Sequence, residues 1–185
     1  MPMRLTGFII VIGALVSACS SAPVNYHTLV PVQPRQDARS QVRIERVSVP
    51  PQVDRQQIVV RQGNSGLAIL ETEWWGANLA DEFRSALQDQ LGGGAGGNGA
   101  SILRVDVQRF DSVPGQQALI DVRWRLLRSG SAALTCRSLL SVPAGTTVDS
   151  LVKAHQENVR RLAEQIVRTD AGVQGGCPRE VGAAQ

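Results

Sequence analysis

The residues that could carry chemistry in this chain are few: three cysteines and two histidines. His27 and His155 lie far apart in the sequence, and neither is spaced from a cysteine as metal ligands are. No serine, cysteine or paired carboxylate can be identified as a catalytic partner for His155, which lies on an apolar stripe. This favours a histidine at the edge of the core over a catalytic base. We therefore expect no enzymatic activity, no metal and no other cofactor.

The first cysteine, Cys19, follows a stretch typical of a secretory leader. Residues 5–16 carry no charge, and at about 1.5 Å per residue they span about 18 Å, too short for a bilayer core of about 30 Å. Residues 16–19 read Val-Ser-Ala-Cys, which resembles the lipobox of bacterial lipoproteins. The sequence thus predicts a signal peptide over 1–18 and acylation of Cys19. The alternative is ordinary cleavage after Ala18.

Export from the cytoplasm sets the redox context of the other two cysteines. An oxidising periplasm favours a disulfide between Cys136 and Cys177, the thiols that remain once Cys19 is acylated. The alternative is a free, buried Cys136 and a Cys177 that is loose in the tail. Ser20 after the lipobox cysteine resembles lipoproteins that are forwarded to the outer membrane.

Composition excludes several function classes. The chain has 185 residues with 43% hydrophobic and 19% charged residues, which is enough to form a packed core. Aromatic residues make up only 4%, which argues against a base-stacking nucleic-acid platform and a sugar-binding groove. The formal net charge of +3 is no phosphate-binding footprint.

Hydrophobic periodicity predicts an α+β fold with two long helices packed on one face of a mostly antiparallel sheet. The predicted order is β-β-β-α-β-β-β-α, with the first three strands as a meander. The predicted elements are strands at 42–49, 57–61 and 67–70, a helix at 76–91, strands at 102–110, 118–127 and 133–142, and a helix at 147–169. The predicted regions are the signal peptide (1–18), a lipidated N-terminus and flexible tether (19–40), a single domain (41–170) and a flexible tail (171–185).

Two further patterns have more than one interpretation. The glycine-rich run at 92–99 follows a helix and lacks a Lys-Ser/Thr pair, so it indicates a flexible connector rather than a phosphate loop. Polar residues alternate along two strands and predict a face that is either solvated or in polar contact with another subunit. They are Arg104, Asp106, Gln108, Asp121, Arg123 and Arg125.

Several short blocks occur in an order that resembles a known family. They are Tyr26-x-x-Leu29, Val47-Ser-Val49-Pro50, Val53-Asp54-Arg55 with Ile58-Val59-Val60, and Trp75-Gly-Ala-Asn-Leu79. Together they resemble the ABC-type transport auxiliary lipoproteins, the PqiC-like family, over nearly the whole mature chain. The glycine-rich insertion and the cysteines at 136 and 177 depart from the family pattern.

The resemblance implies a non-catalytic role in lipid transport between the membranes of a Gram-negative envelope. Such lipoproteins are associated with membrane integrity and dock a periplasm-spanning protein with MCE domains, whose cargo is phospholipid-like, at the periplasmic face of the outer membrane. We expect a homo-oligomer held by palmitate-type acyl chains, with no nucleic-acid partner. The alternatives are another outer-membrane scaffold, such as a pilotin or a cell-wall synthase activator, and a lipid-anchored hydrolase that uses His155.

Four residues are candidates for partner docking: Pro50, Asp54, Arg55 and Trp74. For the Asp54-Arg55 pair, the alternative is a local role in which Asp54 caps or turns the loop and Arg55 pairs with it. Trp74 is the more exposed of the two tryptophans and a candidate interface anchor, because exposed tryptophans concentrate interface energy, whereas Trp75 is in phase with the core. Core packing of both tryptophans is the favoured alternative.

Overall fold

The structure is a computed structural model that describes residues 22–32, 40–92, 101–172 and 176–178. Cys19, the predicted signal peptide, most of the glycine-rich run and the end of the tail lie outside the described residues. The predicted α+β class and element order are confirmed, with one additional short strand in front. The elements are β1 (Asn25–His27), β2 (Val42–Ser48), β3 (Gln57–Gln62), β4 (Gly66–Trp75), α1 (Leu79–Gln90), β5 (Ser101–Val113), β6 (Gln117–Leu127), β7 (Leu134–Pro143) and α2 (Val148–Asp170).

The larger sheet has four strands in the order β2-β5-β6-β7. Strands β5, β6 and β7 are antiparallel neighbours, and β2 lies parallel to β5 at one edge. β5 and β6 form a hairpin, and its turn uses Gly115 at φ 75°. Apolar side chains alternate toward one face of β5, where Leu103, Val105 and Val107 are buried, so that face meets the core.

The smaller sheet has three strands in the order β1-β4-β3. β3 and β4 form an antiparallel hairpin, and β1 lies parallel to β4. The predicted meander of β2, β3 and β4 is wrong, because β2 pairs with β5 of the other sheet. Pro50-Pro51 ends β2 before it can turn back on β3, and the chain crosses to the second sheet. β4 also continues to Trp75, beyond the predicted end at residue 70.

Both helices pack on the larger sheet and against each other, as predicted. α1 lies over β2, and α2 lies over β6 and β7. Thr147 caps the start of α2, since its Oγ1 accepts a hydrogen bond from the Ser150 amide at 3.2 Å. Phe83 of α1 and Leu162 of α2 are fully buried in the resulting core.

The N-terminal segment is part of the fold, although the sequence predicted a tether up to residue 40. β1 lies inside that range, and Leu29 after it is fully buried. Glu82 of α1 accepts hydrogen bonds from the Thr28 hydroxyl at 2.8 Å and from the Leu29 amide at 2.9 Å. Gln156 of α2 donates to the Thr28 carbonyl at 3.0 Å. The tether prediction is therefore wrong for the segment that begins at Asn25, because these contacts hold it against both helices.

Candidate docking surface

Trp74 is half-buried and lies at the centre of a partly exposed patch on the smaller sheet. The strand register places it beside Tyr26 of β1 on one side and Gln57 of β3 on the other. The Tyr26 and Trp74 rings meet edge to face with centroids 6.3 Å apart, and Tyr26 is 68% exposed. The indole N–H of Trp74 donates to the Glu71 carbonyl at 2.9 Å, so the ring can be covered by a partner without losing a hydrogen bond.

The other three docking candidates lie in the loop between β2 and β3, and each has a different environment. Pro50 is buried and its carbonyl accepts from the Val53 and Asp54 amides, so Pro50 itself offers no surface to a partner. Asp54 is exposed, and its carboxylate accepts from the Ala80 amide at 3.4 Å, in the first turn of α1. Asp54 therefore supplies the side-chain acceptor that the N-cap residue of α1 lacks.

Arg55 is half-buried and bonded within this region rather than to Asp54. Its Nε donates to Gln57 Oε1 at 3.2 Å, and Gln57 stands opposite Trp74 in the sheet. The structure thus brings together Arg55 and Trp74, with Tyr26 and Gln57, and directs Asp54 to α1 instead. We call Tyr26, Arg55, Gln57 and Trp74 the docking patch. Gln57 was missed by the sequence analysis, since nothing in its local sequence marks it.

Trp75 faces the opposite way and belongs to the core, as predicted. It is 2% exposed and meets Phe110 of β5 edge to face at 6.3 Å. Adjacent strand positions point to opposite faces, which explains why two neighbouring tryptophans have different environments.

Polar contacts fix β1, and hence Tyr26, against β4. Glu73 accepts hydrogen bonds from Asn25 at 2.9 Å and lies 2.6 Å from His27 Nε2. These contacts, His27 first and Asn25 second, lower the pKa of the Glu73 carboxyl. Glu73 thus holds the short strand in register with the one that carries Trp74.

His155 is buried more deeply than the predicted position at the edge of the core. Its Nε2 lies 2.9 Å from Ser112 Oγ, and its ring stacks on Phe110 at 3.8 Å between centroids. Burial lowers the pKa of His155 to about 3, so the imidazole is neutral at physiological pH. A serine next to a neutral histidine can form a nucleophile–base pair, but here His155 is 0% and Ser112 2% exposed. No sequence spacing marked Ser112 as its partner.

Cys136 and Cys177 are joined by a disulfide, with their Cα atoms 5.3 Å apart. Cys136 is 4% exposed on β7, and the bond ties residue 177, beyond α2, to that strand. Among the described residues, no group of three or more histidine, cysteine or acidic side chains is placed to hold a metal ion. Within the same part of the chain, no helix is long and apolar enough to cross a membrane.

Comparison with protein families identifies the chain. The family model described as "ABC-type transport auxiliary lipoprotein component" matches residues 27–167. The chain belongs to this family. Its match begins in β1 and ends in α2, and so covers both sheets and both helices.

Two solved structures share the fold of this auxiliary lipoprotein. One is an uncharacterised protein at 20% identity and a TM-score of 0.66, covering 80% of this chain and 99% of its own. The other is a Xanthomonas campestris protein that carries the family name DUF330, at 20% identity and a TM-score of 0.62, covering 82% of this chain and 97% of its own. A comparison with curated proteins gives no match.

Family membership makes the chain an auxiliary lipoprotein component associated with an ABC-type transport system, with the membrane-anchored location of a lipoprotein. A non-enzymatic role is consistent with this family.

Proposed function

We propose that this auxiliary lipoprotein is anchored through acylated Cys19 to the periplasmic face of the outer membrane. There it docks a periplasm-spanning MCE-domain protein of an intermembrane phospholipid transport system. The observation that carries the proposal is the family match over 27–167, which spans both sheets and both helices. A role in membrane integrity follows, since the protein would hold the end of a lipid conduit at its target membrane.

The anchor and the docking patch lie close together along the chain. At most about 20 Å of extended chain joins Cys19 to Asn25, the first residue of β1. Since β1 is fixed to β4 and to both helices, an acyl anchor on Cys19 holds the docking patch near the membrane surface. A docking component needs this arrangement if the partner is to be met where it reaches the membrane.

The docking patch has the composition of an interaction hot spot. Tyr, Trp and Arg are the residue types that dominate binding energy at protein interfaces. Tyr26 and Trp74 meet edge to face on the sheet, and Arg55, in the loop before β3, donates to Gln57, which stands opposite Trp74. We therefore assign contact with the MCE-domain partner to this patch, while Asp54 serves the first turn of α1.

The first test extracts the acylated protein from its own membranes in mild detergent and applies native mass spectrometry. A closed homo-oligomer that carries an MCE-domain protein, with two or three acyl chains on Cys19, supports the proposal. A monomer, or a complex with a secretion or cell-wall protein, refutes the transport role and favours another outer-membrane scaffold. An unacylated Cys19 refutes the anchor.

The second test measures partner affinity for Trp74→Ala. Truncating a hot-spot tryptophan costs about 2 kcal/mol of binding free energy, which weakens the affinity about 30-fold. Leu139→Ala is the control, because Leu139 is 42% exposed on β7 of the other sheet. If both variants bind the partner with the same affinity, the docking patch is not the contact surface, and the transport role still stands. Tryptophan fluorescence gives an independent readout, since Trp75 and Trp124 are buried and Trp74 is the third of three tryptophans.

A further inference from the structure

The open face of the larger sheet is rich in arginine. Its four strands hold seven exposed arginines against four carboxylates, a surplus that equals the formal net charge of +3 of the whole chain. The arginines are Arg43, Arg46, Arg104, Arg109, Arg123, Arg125 and Arg137, and the carboxylates are Glu45, Asp106, Asp111 and Asp121. The modest overall charge therefore conceals one strongly basic face, on the side of the sheet away from the helices.

Three of these arginines stand directly beside one another across three strands. Arg46 of β2 is in register with Arg104 of β5, which is in register with Arg125 of β6. At about 4.8 Å between neighbouring strands, the row is about 10 Å long. Like charges directly opposite each other destabilise a sheet, so folding alone does not favour this arrangement.

The carboxylates of the same strands already have partners, and one of them pairs with the central arginine of the row. Glu45 pairs with Arg104, which lowers the pKa of Glu45 and raises that of Arg104. Asp106 accepts from Ser48 at 2.9 Å and from Gln108 at 2.6 Å.

The other two carboxylates lie at buried positions. Asp111 is bound by Arg61 at 2.8 Å and by Arg109 at 2.6 Å. Asp121, which the sequence placed on a face either solvated or in polar contact with another subunit, is buried within the chain, and Arg137 binds it at 2.7 Å and lowers its pKa.

Two arginines of the row remain without a protein counter-ion. Among the described residues, Arg46 and Arg125 make no ion pair and no side-chain hydrogen bond. Both are exposed, at the two ends of the row, and each guanidinium keeps its full set of N–H donors.

A groove of about 590 Å³ runs over this row. Its lining combines the arginines with two hydroxyl side chains and one carboxylate. The charged and hydroxyl residues that line it are Arg46, Arg104, Arg123, Arg125, Ser48, Thr135 and Asp106.

We propose that this arginine groove is a binding site for a phosphate-type oxyanion. Guanidinium groups bind phosphate oxygens through two parallel N–H bonds, and the hydroxyl of Thr135 can donate a further bond, whereas that of Ser48 already donates to Asp106. The bound anion offsets the repulsion along the row. Inorganic phosphate and the phosphodiester of a phospholipid headgroup offer the same chemistry. The site goes beyond the docking role and does not depend on it.

The test uses the full mature lipoprotein in non-ionic detergent, titrated with inorganic phosphate at constant ionic strength and followed by calorimetry. A second arm transfers the protein to nanodiscs and compares phosphatidylglycerol with the phosphate-free lipid digalactosyldiacylglycerol. Binding in either arm that falls at least tenfold in Arg46→Ser/Arg125→Ser supports the site. If phosphate alone binds, the source is the free ion; if the nanodisc arm alone responds, it is the lipid headgroup.

Two further variants make the test specific. Arg168→Ser removes one charge from an exposed position on α2, in the other layer, and should bind as wild type does. Arg46→Lys/Arg125→Lys keeps the charge but loses the two-pronged geometry, so its affinity should lie between those of wild type and the serine variant. If Arg168→Ser loses as much affinity as Arg46→Ser/Arg125→Ser, the proposal is overturned, because the overall charge of the protein would then explain the binding.

Failure to fold would not explain a negative result. Removing the like-charge row should leave Arg46→Ser/Arg125→Ser at least as stable as wild type in chloride, which a thermal melt checks. Absence of binding by wild type to both probes overturns the proposal. Binding of a polyglutamate peptide in their place would indicate an acidic protein partner instead.

Discussion

Buried His155 should make this protein lose stability in mild acid. In the folded state its pKa is about 3, whereas the ordinary value is 6.5. The unfolded chain therefore takes up a proton as the pH falls through 6.5, and the folded chain does not. Folding stability is highest above pH 6.5 and falls steadily from there toward pH 3.

The size of the loss follows from these two values. Between pH 7.5 and pH 5, a group with pKa 6.5 unfolded and about 3 folded costs about 2 kcal/mol of folding free energy. For a domain of this size, that lowers the melting temperature by about 4–8 °C. We set the lower limit at pH 5 so that carboxyl groups do not titrate within the range. The folded state lowers the pKa of several of them, to about 2 for Glu157 and below the usual value for Asp121. Their stabilising effect is lost only at lower pH, as the pH falls below their unfolded values near 4.

The assay is urea unfolding at several pH values, with the disulfide intact. His155→Gln cannot titrate, and its amide can still pair with the Ser112 hydroxyl that lies 2.9 Å from Nε2. The variant should be less stable than wild type at pH 7.5, because it loses the stacking on Phe110, but its stability should depend much less on pH. His27→Gln is the matched control, since His27 is the second of two histidines in the chain. The reasoning is refuted if wild type and His155→Gln lose the same free energy between pH 7.5 and pH 5.

Two further predictions concern the ends of the domain. Cys177→Ser removes the disulfide, which joins residues 41 positions apart, and should lower the free energy of unfolding by up to about 4 kcal/mol. Reductant should then have no further effect on the variant. An unchanged urea midpoint would contradict this prediction. Glu82→Ala leaves the buried Leu29 amide without its acceptor and should cost about 2 kcal/mol, with faster hydrogen exchange at Leu29. The exposed Glu71→Ala on β4 is its control and should leave that exchange rate unchanged.

Patterns with a strong period could be predicted from the sequence, and pairings between distant segments could not. α2 has an apolar stripe and a threonine cap, so its start at Val148 follows from local rules. The separation of β2 from β3 and β4 depends on pairing with β5, more than fifty residues away, which leaves no local signal. β1 was missed for the same reason, because three polar or aromatic residues form a strand only where β4 offers its edge.

The candidate site shows the same division. The separate environments of Trp74 and Trp75 follow from strand alternation, which is a local rule. Burial of Pro50 and Asp121 could not be predicted in this way. At Asp121 the cause is a tertiary contact, the salt bridge from Arg137 of the neighbouring strand; at Pro50 it is the way the loop folds back on itself, where the Pro50 carbonyl accepts from the Val53 and Asp54 amides.

Helix α2 links the surfaces that this protein offers to its surroundings. Through Gln156 it holds Thr28 beside β1, and through His155 it contacts Ser112 on β5, the central strand that also carries Arg104. Successive residues of one helix thus bind the anchor-proximal segment and the larger sheet. Because one helix makes both contacts, the docking patch and the arginine groove keep a fixed orientation relative to β1.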